Sequence, residues 1–243
     1  MPIAPAADQI RLLSVQDLDT RIQQALHRRA SHPTLETIAA LDAERATLAA
    51  SITETSTEVS DIRREVTKAE DDVQSVRARA DRDKARLDSG QGSAKDLQAL
   101  QSEVEVLAKR QSDLEDVEIE AMERLEAAES TLSAAQARAD EVDAALAAAA
   151  AERDAAFAAI DGEVEALRAE RAGAADGLDA GLLALYEKLR ESHGGVGAAA
   201  LKGSQCQGCH MDVNAGDLAA MQAAADDEVF RCEECGRILV RGA

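Results

Sequence analysis

The sequence predicts a mainly α-helical chain, a long antiparallel coiled-coil hairpin that ends in a small β domain, and three observations carry this. Apolar residues recur at alternating spacings of three and four over most of the chain, which is the period of a coiled-coil seam. One Gly/Ser cluster, Ser89-Gly90-Gln91-Gly92-Ser93, divides that pattern in two. All four cysteines fall after residue 200, among glycines and Val/Ile/Leu segments that break the helical rhythm.

Composition agrees. Charged residues make up 30% of the 243, and Phe157, Tyr186 and Phe230 are the only aromatics, a bias that marks long helices and not a thick globular core. The formal net charge is -20, so the bulk field repels nucleic acid and anionic membranes. No apolar run approaches the roughly 18 residues of a membrane span, and Met1-Pro-Ile-Ala-Pro-Ala-Ala lacks the basic and apolar regions of a signal peptide. A cytoplasmic location with no membrane partner is expected.

Taken in order, Ala7 to Ala30 reads as a helix through Ile10, Leu13, Leu18, Ile22 and Leu26, and Pro33 should interrupt it near Ser31 to Thr34, because proline suits a first helical turn and disrupts an interior. A first seam runs without a skip from Ile38 through Leu48, Val59, Ile62, Val66 and Val73 to Leu87, with Arg45, Thr55 and Asp83 as polar intrusions. A second runs from Leu97 through Leu107, Leu114, Leu125, Leu132 and Val142 to Ile160. A short link between long helices makes them antiparallel neighbours. At about 1.5 Å per residue the arm after the turn extends roughly 110 Å.

Gly173 and Gly177 weaken the helix beyond Arg171, and a further amphipathic helix spans Leu178 to Ser192 before a Gly194-Gly195 cap. The expected division is therefore residues 1–177 for the first helix and the hairpin with its turn at 89–93, residues 178–195 for a connecting helix, and residues 196–243 for the cysteine domain.

The cysteines form two pairs, Cys206-Gln-Gly-Cys209 and Cys232-Glu-Glu-Cys235, with residues 210–231 between them. In a reducing compartment this pattern reads as metal before disulfide. Two such knuckles supply four thiolates for one Zn2+, and Gly208 and Gly236 lie where a tight turn needs backbone freedom. Four thiolates close the coordination sphere, so the ion is structural and the domain a four-cysteine zinc ribbon. The spacing leaves room for a helix or loop around Asp217 to Ala224. His210 could replace a thiolate only in an awkward geometry beside Cys209. The alternative for the cysteines is a redox switch in which each pair closes a disulfide and releases the metal.

Two basic groups stand out in an acidic chain. Arg77, Arg79, Arg82, Lys84, Arg86 and Lys95 surround the hairpin tip. Their functional reading is contact with RNA or an acidic protein surface. Their bland reading is neutralisation of the opposing arm: a turn centred on Gln91 sets Arg86 across from Asp96, Arg77 near Glu105, and Arg63 and Arg64 near Glu118 and Glu120. In the ribbon, Lys202, Arg231, Arg237 and Arg241 flank the knuckles and could meet phosphates. Against this, Glu233 and Glu234 sit in the second knuckle, a tetrathiolate zinc carries about two negative charges, and the aromatic platforms of single-strand binders are missing.

With hairpin and ribbon placed, the chain resembles the bacterial C4-type zinc-ribbon coiled-coil protein family, whose members include flagellar and secretion regulators. The resemblance rests on Leu12-Leu13-Ser-Val-Gln-Asp-Leu18-Asp19, Lys95-Asp-Leu-Gln-Ala-Leu-Gln101-Ser-Glu103, Leu114-Glu-Asp116-Val-Glu-Ile-Glu-Ala-Met122, Cys206-Gln-Gly-Cys209 and Cys232-Glu-Glu-Cys-Gly236-Arg-Ile-Leu-Val240. It implies a structural zinc and a non-enzymatic role. Family members with assigned roles resemble chaperones or regulators that bind a sigma factor, secretion components or, in some cases, RNA. The Ala-rich later arm departs from the family pattern.

Two functions follow as expectations: a protein-partner adaptor, and an RNA-binding or ribosome-associated regulator. An enzyme is not expected, and neither is a small-molecule substrate. The sequence holds no Gly-rich phosphate loop and no nucleophile with a base, and His27, His32 and His193 lie on or beside exposed helix ends.

Overall fold

The computed structural model describes residues 3–242. Its helices are α1 (Ala6–Ala30), α2 (Pro33–Asp88), α3 (Ala94–Ala175), α4 (Ala180–Ser192) and α5 (Ala215–Ala223), and its strands β1 (Ala198–Lys202), β2 (Gln205–Cys206), β3 (Phe230–Arg231) and β4 (Ile238–Val240). The interruption expected at Pro33 is present: α1 closes at Ala30 with Ser31 as C-cap, and Pro33 opens α2.

Contacts group the chain differently from the linear division at residues 177 and 195. One unit is Met1–Glu36 with Ala150–Ala243, and the other is Thr37–Ala149. The reason is packing: α1, α4 and the ribbon share one core, so the first helix belongs with the last domain.

In the hairpin unit the seams close on each other. Val59, Ile62 and Val66 of α2 pack with Ala121 and Ala128 of α3, flanked by Leu125 and Leu132. Val73, Leu107 and Val142 are also buried, as is the intruding Thr55. Ion pairs border the seam: Arg45–Asp143 at 2.9 Å, Arg138–Glu44 at 2.8 Å, Arg63–Glu129 at 2.6 Å and Arg124–Glu65 at 3.0 Å. All are largely exposed, so each contributes little to stability.

These pairs correct the register expected from a turn centred on Gln91. Arg63 meets Glu129, Arg64 meets Asp61 on its own helix, and Arg77 meets Glu115. Asp96 does not face Arg86: its carboxylate accepts from Ser93 N at 3.1 Å and Ser93 Oγ at 2.7 Å, while Ser93 Oγ accepts from Asp96 N at 3.3 Å. This reciprocal capping fixes the start of α3 beyond the middle of the loop, and the buried apolar layers then set the register.

The ribbon unit is a four-stranded sheet of order β2-β1-β4-β3. β1 runs parallel to β4, with Ala198, Ala199 and Ala200 opposite Ile238, Leu239 and Val240, and the other pairings are antiparallel. Small residues on β1 let α1 and α4 approach the sheet. Leu12 and Val15 of α1, Leu182, Tyr186 and Leu189 of α4, and Ala198, Ile238 and Val240 form one buried cluster. Gly197 must lack a side chain, because a Cβ there would lie 2.7 Å from Tyr186 O.

Polar residues of α1 tie this unit together. Gln16 accepts from Gly197 N at 2.7 Å and donates to Gly195 O at 3.1 Å, and Gln9 donates to Ala4 O at 2.9 Å. Arg11 donates to Ala174 O at 3.2 Å and Asp176 O at 2.5 Å, supplying donors and positive charge to the end of α3, whose last turn has no basic residue. Among the described residues no helix is long and apolar enough to cross a membrane.

Candidate metal centre

Two β-turns bring the cysteines together. The first knuckle follows β2, which pairs with β1 in the register Leu201 to Cys206. The second lies between β3 and β4, where Cys232 N donates to Arg237 O at 2.9 Å and Gly236 N returns to Cys232 O at 2.7 Å. The first knuckle repeats that return bond, with His210 N donating to Cys206 O at 2.8 Å.

The repeat corrects the role expected of Gly208. Gly236 is left-handed at φ 70°, but in the first knuckle the left-handed residue is His210 at φ 62°. Gly208 is needed for space instead, since a Cβ there would lie 2.9 Å from Ala199 Cβ and 3.0 Å from Arg237 Cδ. His210 occupies the place of Gly236, is exposed, and is not among the clustered ligand atoms.

The Sγ atoms of Cys206, Cys209, Cys232 and Cys235 all lie within 4.8 Å of one another. Across the two knuckles, Cys206 Sγ lies 4.0 Å from Cys235 Sγ and Cys209 Sγ 3.9 Å from Cys232 Sγ. Disulfide sulfurs sit about 2.05 Å apart, so these are thiols. A zinc tetrahedron with bonds of about 2.3 Å has edges of about 3.8 Å, and the cysteine set fits one structural zinc ion.

The electrostatics of Cys206, Cys232 and Cys235 follow from their surroundings. Burial pushes the Cys206 thiol up, and carries that of Cys232 up to about 12. Burial raises Cys235 as well, but hydrogen bonds from the Arg237 backbone and side chain and from Cys232 and Cys209 outweigh it, leaving about 7. Neutral thiols are thus favoured at the buried positions until a cation compensates the thiolates. Cys206, Cys232, Met221, Phe230 and Leu239 form the small core around the knuckles, so the metal would cross-link a domain whose apolar interior is slight.

Three of the four ribbon bases donate to backbone carbonyls of their own unit, Arg231 from an exposed position. Arg231 Nε donates to Gly236 O at 2.7 Å, and Arg237 donates to Val196 O at 3.0 Å and His193 O at 3.3 Å. Arg241 donates to Met221 O, to Ala225 O at 2.7 Å and to Glu228 O at 3.4 Å, with its guanidinium 4.9 Å above the Phe230 ring. Lys202 is exposed. At the tip, Arg77 pairs with Glu115 at 3.5 Å, Arg79 with Glu103, and Arg86 reaches Asp83 at 4.0 Å. Arg82, Lys84 and Lys95 are exposed and make no ion pair among the described residues. The tip and ribbon groups belong to different units.

Spacing alone does not reveal the buried polar residues Gln9, Gln16 and Asp19 that join α1 to the ribbon unit. Their signal is a polar interruption of the α1 stripe at helical intervals, with Gln16 and Asp19 inside the Leu12–Asp19 motif and Gln9 one turn before it.

Known proteins share both parts. A model of the CT398-like coiled coil hairpin domain matches residues 15–194, and one of the C4-type zinc ribbon domain matches residues 205–239. An uncharacterized protein of Mycobacterium tuberculosis is 35% identical over 98% of this chain and 97% of its own length. One of Mycobacterium leprae is 30% identical over 91% and 95%. Among solved structures, a Mycobacterium smegmatis protein matches with a TM-score of 0.84 at 33% identity, over 98% of this chain and all of that one. CT398 from Chlamydia trachomatis matches at 0.70 and 17% identity, over 97% and 98%, which shows the fold alone. With its hairpin, its ribbon and its four converging cysteines, the chain belongs to the family of CT398-like coiled-coil hairpin proteins that carry a C4-type zinc ribbon.

Proposed function

We propose that the chain is a non-enzymatic adaptor or chaperone-like regulator that binds a protein partner in the cytoplasm. One observation carries this reading: Arg231, Arg237 and Arg241 spend guanidinium donors on backbone carbonyls of their own unit, which leaves an acidic ribbon poorly equipped for phosphate. A tetrathiolate zinc offers no open position to a substrate, so the ion holds a shape. Affinity purification of the full chain from its native cell, with and without RNase, tests it. Protein partners that survive RNase support the adaptor; recovery of nucleic acid alone would sink it.

RNA binding is the second reading, favoured by the unpaired Arg82, Lys84 and Lys95 at the tip. It predicts affinity that falls steeply with salt and drops further on reversal of these charges to Glu. Full RNA binding by the triple reversal would count against the tip.

A further inference from the structure

A groove of about 300 Å³ opens on the ribbon between α5 and β3, and none of the four cysteines lines it. Its walls are apolar: Met221, Val229 and Phe230, all buried within the fold, contribute their surfaces to it. Asp217 and Glu233 stand at its rim with Arg231. The two carboxylates line the same groove, so a cation placed between them would be attracted by both. Arg231 Nε is occupied by Gly236 O, and the exposed Glu234 follows Glu233 in the same knuckle.

The groove is held open by its own framework. Asn214 caps α5 by accepting from Asp217 N at 2.9 Å, which fixes the acidic rim. Arg241 ties Met221, Ala225 and Glu228 together by their carbonyls and stacks on Phe230. A preformed apolar cleft lowers the cost of ordering on binding. Its volume is at the small end of ligand pockets, enough for one large side chain.

We propose that this groove seats an aromatic or long aliphatic side chain of a protein partner, with a neighbouring lysine or arginine placed between Asp217 and Glu233. The inference rests on the adaptor reading and names the chemistry its partner would present. Anchors of this kind, buried in a pocket and ringed by polar contacts, dominate binding energy at interfaces. The charge at the rim selects a basic neighbour and disfavours an acidic one.

The test uses a displayed library of random peptides selected against the immobilised, zinc-loaded full chain. Enriched peptides should carry an aromatic, Leu or Met residue beside Lys or Arg. The best of them, made synthetically, should bind Ala220→Trp, which fills the groove from an exposed position, and Asp217→Lys about tenfold more weakly. Zinc content should be unchanged in both variants, and if Ala220→Trp fails to fold, the rim variant decides. Enrichment of acidic peptides, or unchanged affinity in the variants, overturns the proposal. So does self-association that Ala220→Trp abolishes, which would assign the groove to a second copy. In the native-cell purification, an Ala220→Trp chain that keeps every RNase-resistant partner overturns the groove and leaves the adaptor reading standing. Absence of any such partner from the unaltered chain takes both down.

Discussion

The Tyr186 hydroxyl donates a 2.7 Å hydrogen bond to Asp19 Oδ2, and both residues are buried where α1 meets α4. Arg171 grips the same carboxylate through Nε at 2.7 Å and Nη2 at 3.0 Å, and Arg190 approaches at 3.6 Å. A buried charge tolerates its desolvation only when so compensated. Asp19→Ala should therefore destabilise the ribbon unit by about 2–4 kcal/mol, below the full value for a buried pair because both arginines retain some exposure. Tyr186→Phe should cost about 1.5 kcal/mol. Chemical denaturation measures both, and the loss should be smaller in Tyr186→Phe.

The same pair sets a response to alkali. Burial, and then the hydrogen bond to Asp19, hold the Tyr186 phenol above its ordinary range. The unfolded chain releases this proton near pH 10 while the folded chain keeps it, so stability is whole below that value and falls as pH rises above it. Tyr186 is the only tyrosine and there is no tryptophan, so ultraviolet absorbance follows it directly. Phenolate should form only together with unfolding; a free titration near pH 10 in the folded protein would refute the buried pairing.

His210 carries a left-handed backbone at φ 62° where the second knuckle has glycine. For a residue with a Cβ that conformation costs roughly 1–2 kcal/mol. Its bonds to neighbours are made by the backbone, His210 N to Cys206 O and Gln205 Nε2 to His210 O. His210→Gly should keep those bonds and leave zinc content unchanged. Thermal denaturation of the zinc-loaded protein should show a gain of about 0.5–1 kcal/mol, the relief being partly offset by glycine's freedom when unfolded. Loss of zinc in this variant would instead make the imidazole a ligand.

Cys232→Ser removes one of four donors and leaves an open, weakened site. One zinc per chain should be found in the unaltered protein and almost none in the variant, by elemental analysis. The damage should stay in the ribbon unit, where Cys232 packs with Met221, Phe230 and Leu239. Amide exchange should accelerate across residues 198–240 and remain slow at Val59, Ile62 and Val66, which belong to the other unit. Acid should mimic the substitution, since protons compete with zinc for the thiolates.

The parts of this fold differ in how openly the sequence announces them, and the difference is physical. The seams were legible because each apolar layer repeats a local period, and the four ligands because two close pairs need only two turns to converge. The partnership of α1 with the ribbon is not local: Leu12, Val15 and Gln16 meet Gly197 and Ala198 across most of the chain. Turn spacing likewise points to Gly208 and Gly236 alike, although one is required for room and the other for φ. The arginine pairs resist prediction because long side chains reach several candidate acids, while the Ser93–Asp96 cap moves the helix start.

Burial along the hairpin gives a last, contrasting pair. Ile62 is 4% exposed in the layer with Val59, Val66, Ala121 and Ala128, whereas Val106 is 67% exposed on α3. Truncating Ile62 to Ala removes buried methyl groups and leaves a void between two helices, costing about 2–4 kcal/mol. Truncating Val106 to Ala removes nothing from the seam and replaces a β-branched residue by the best helix former, so stability should hold or rise by a few tenths of a kcal/mol. Urea denaturation followed by helical circular dichroism should separate the two variants widely. Equal losses at both positions would mean that Val106 is covered in solution, by a second chain or another partner on that face of α3.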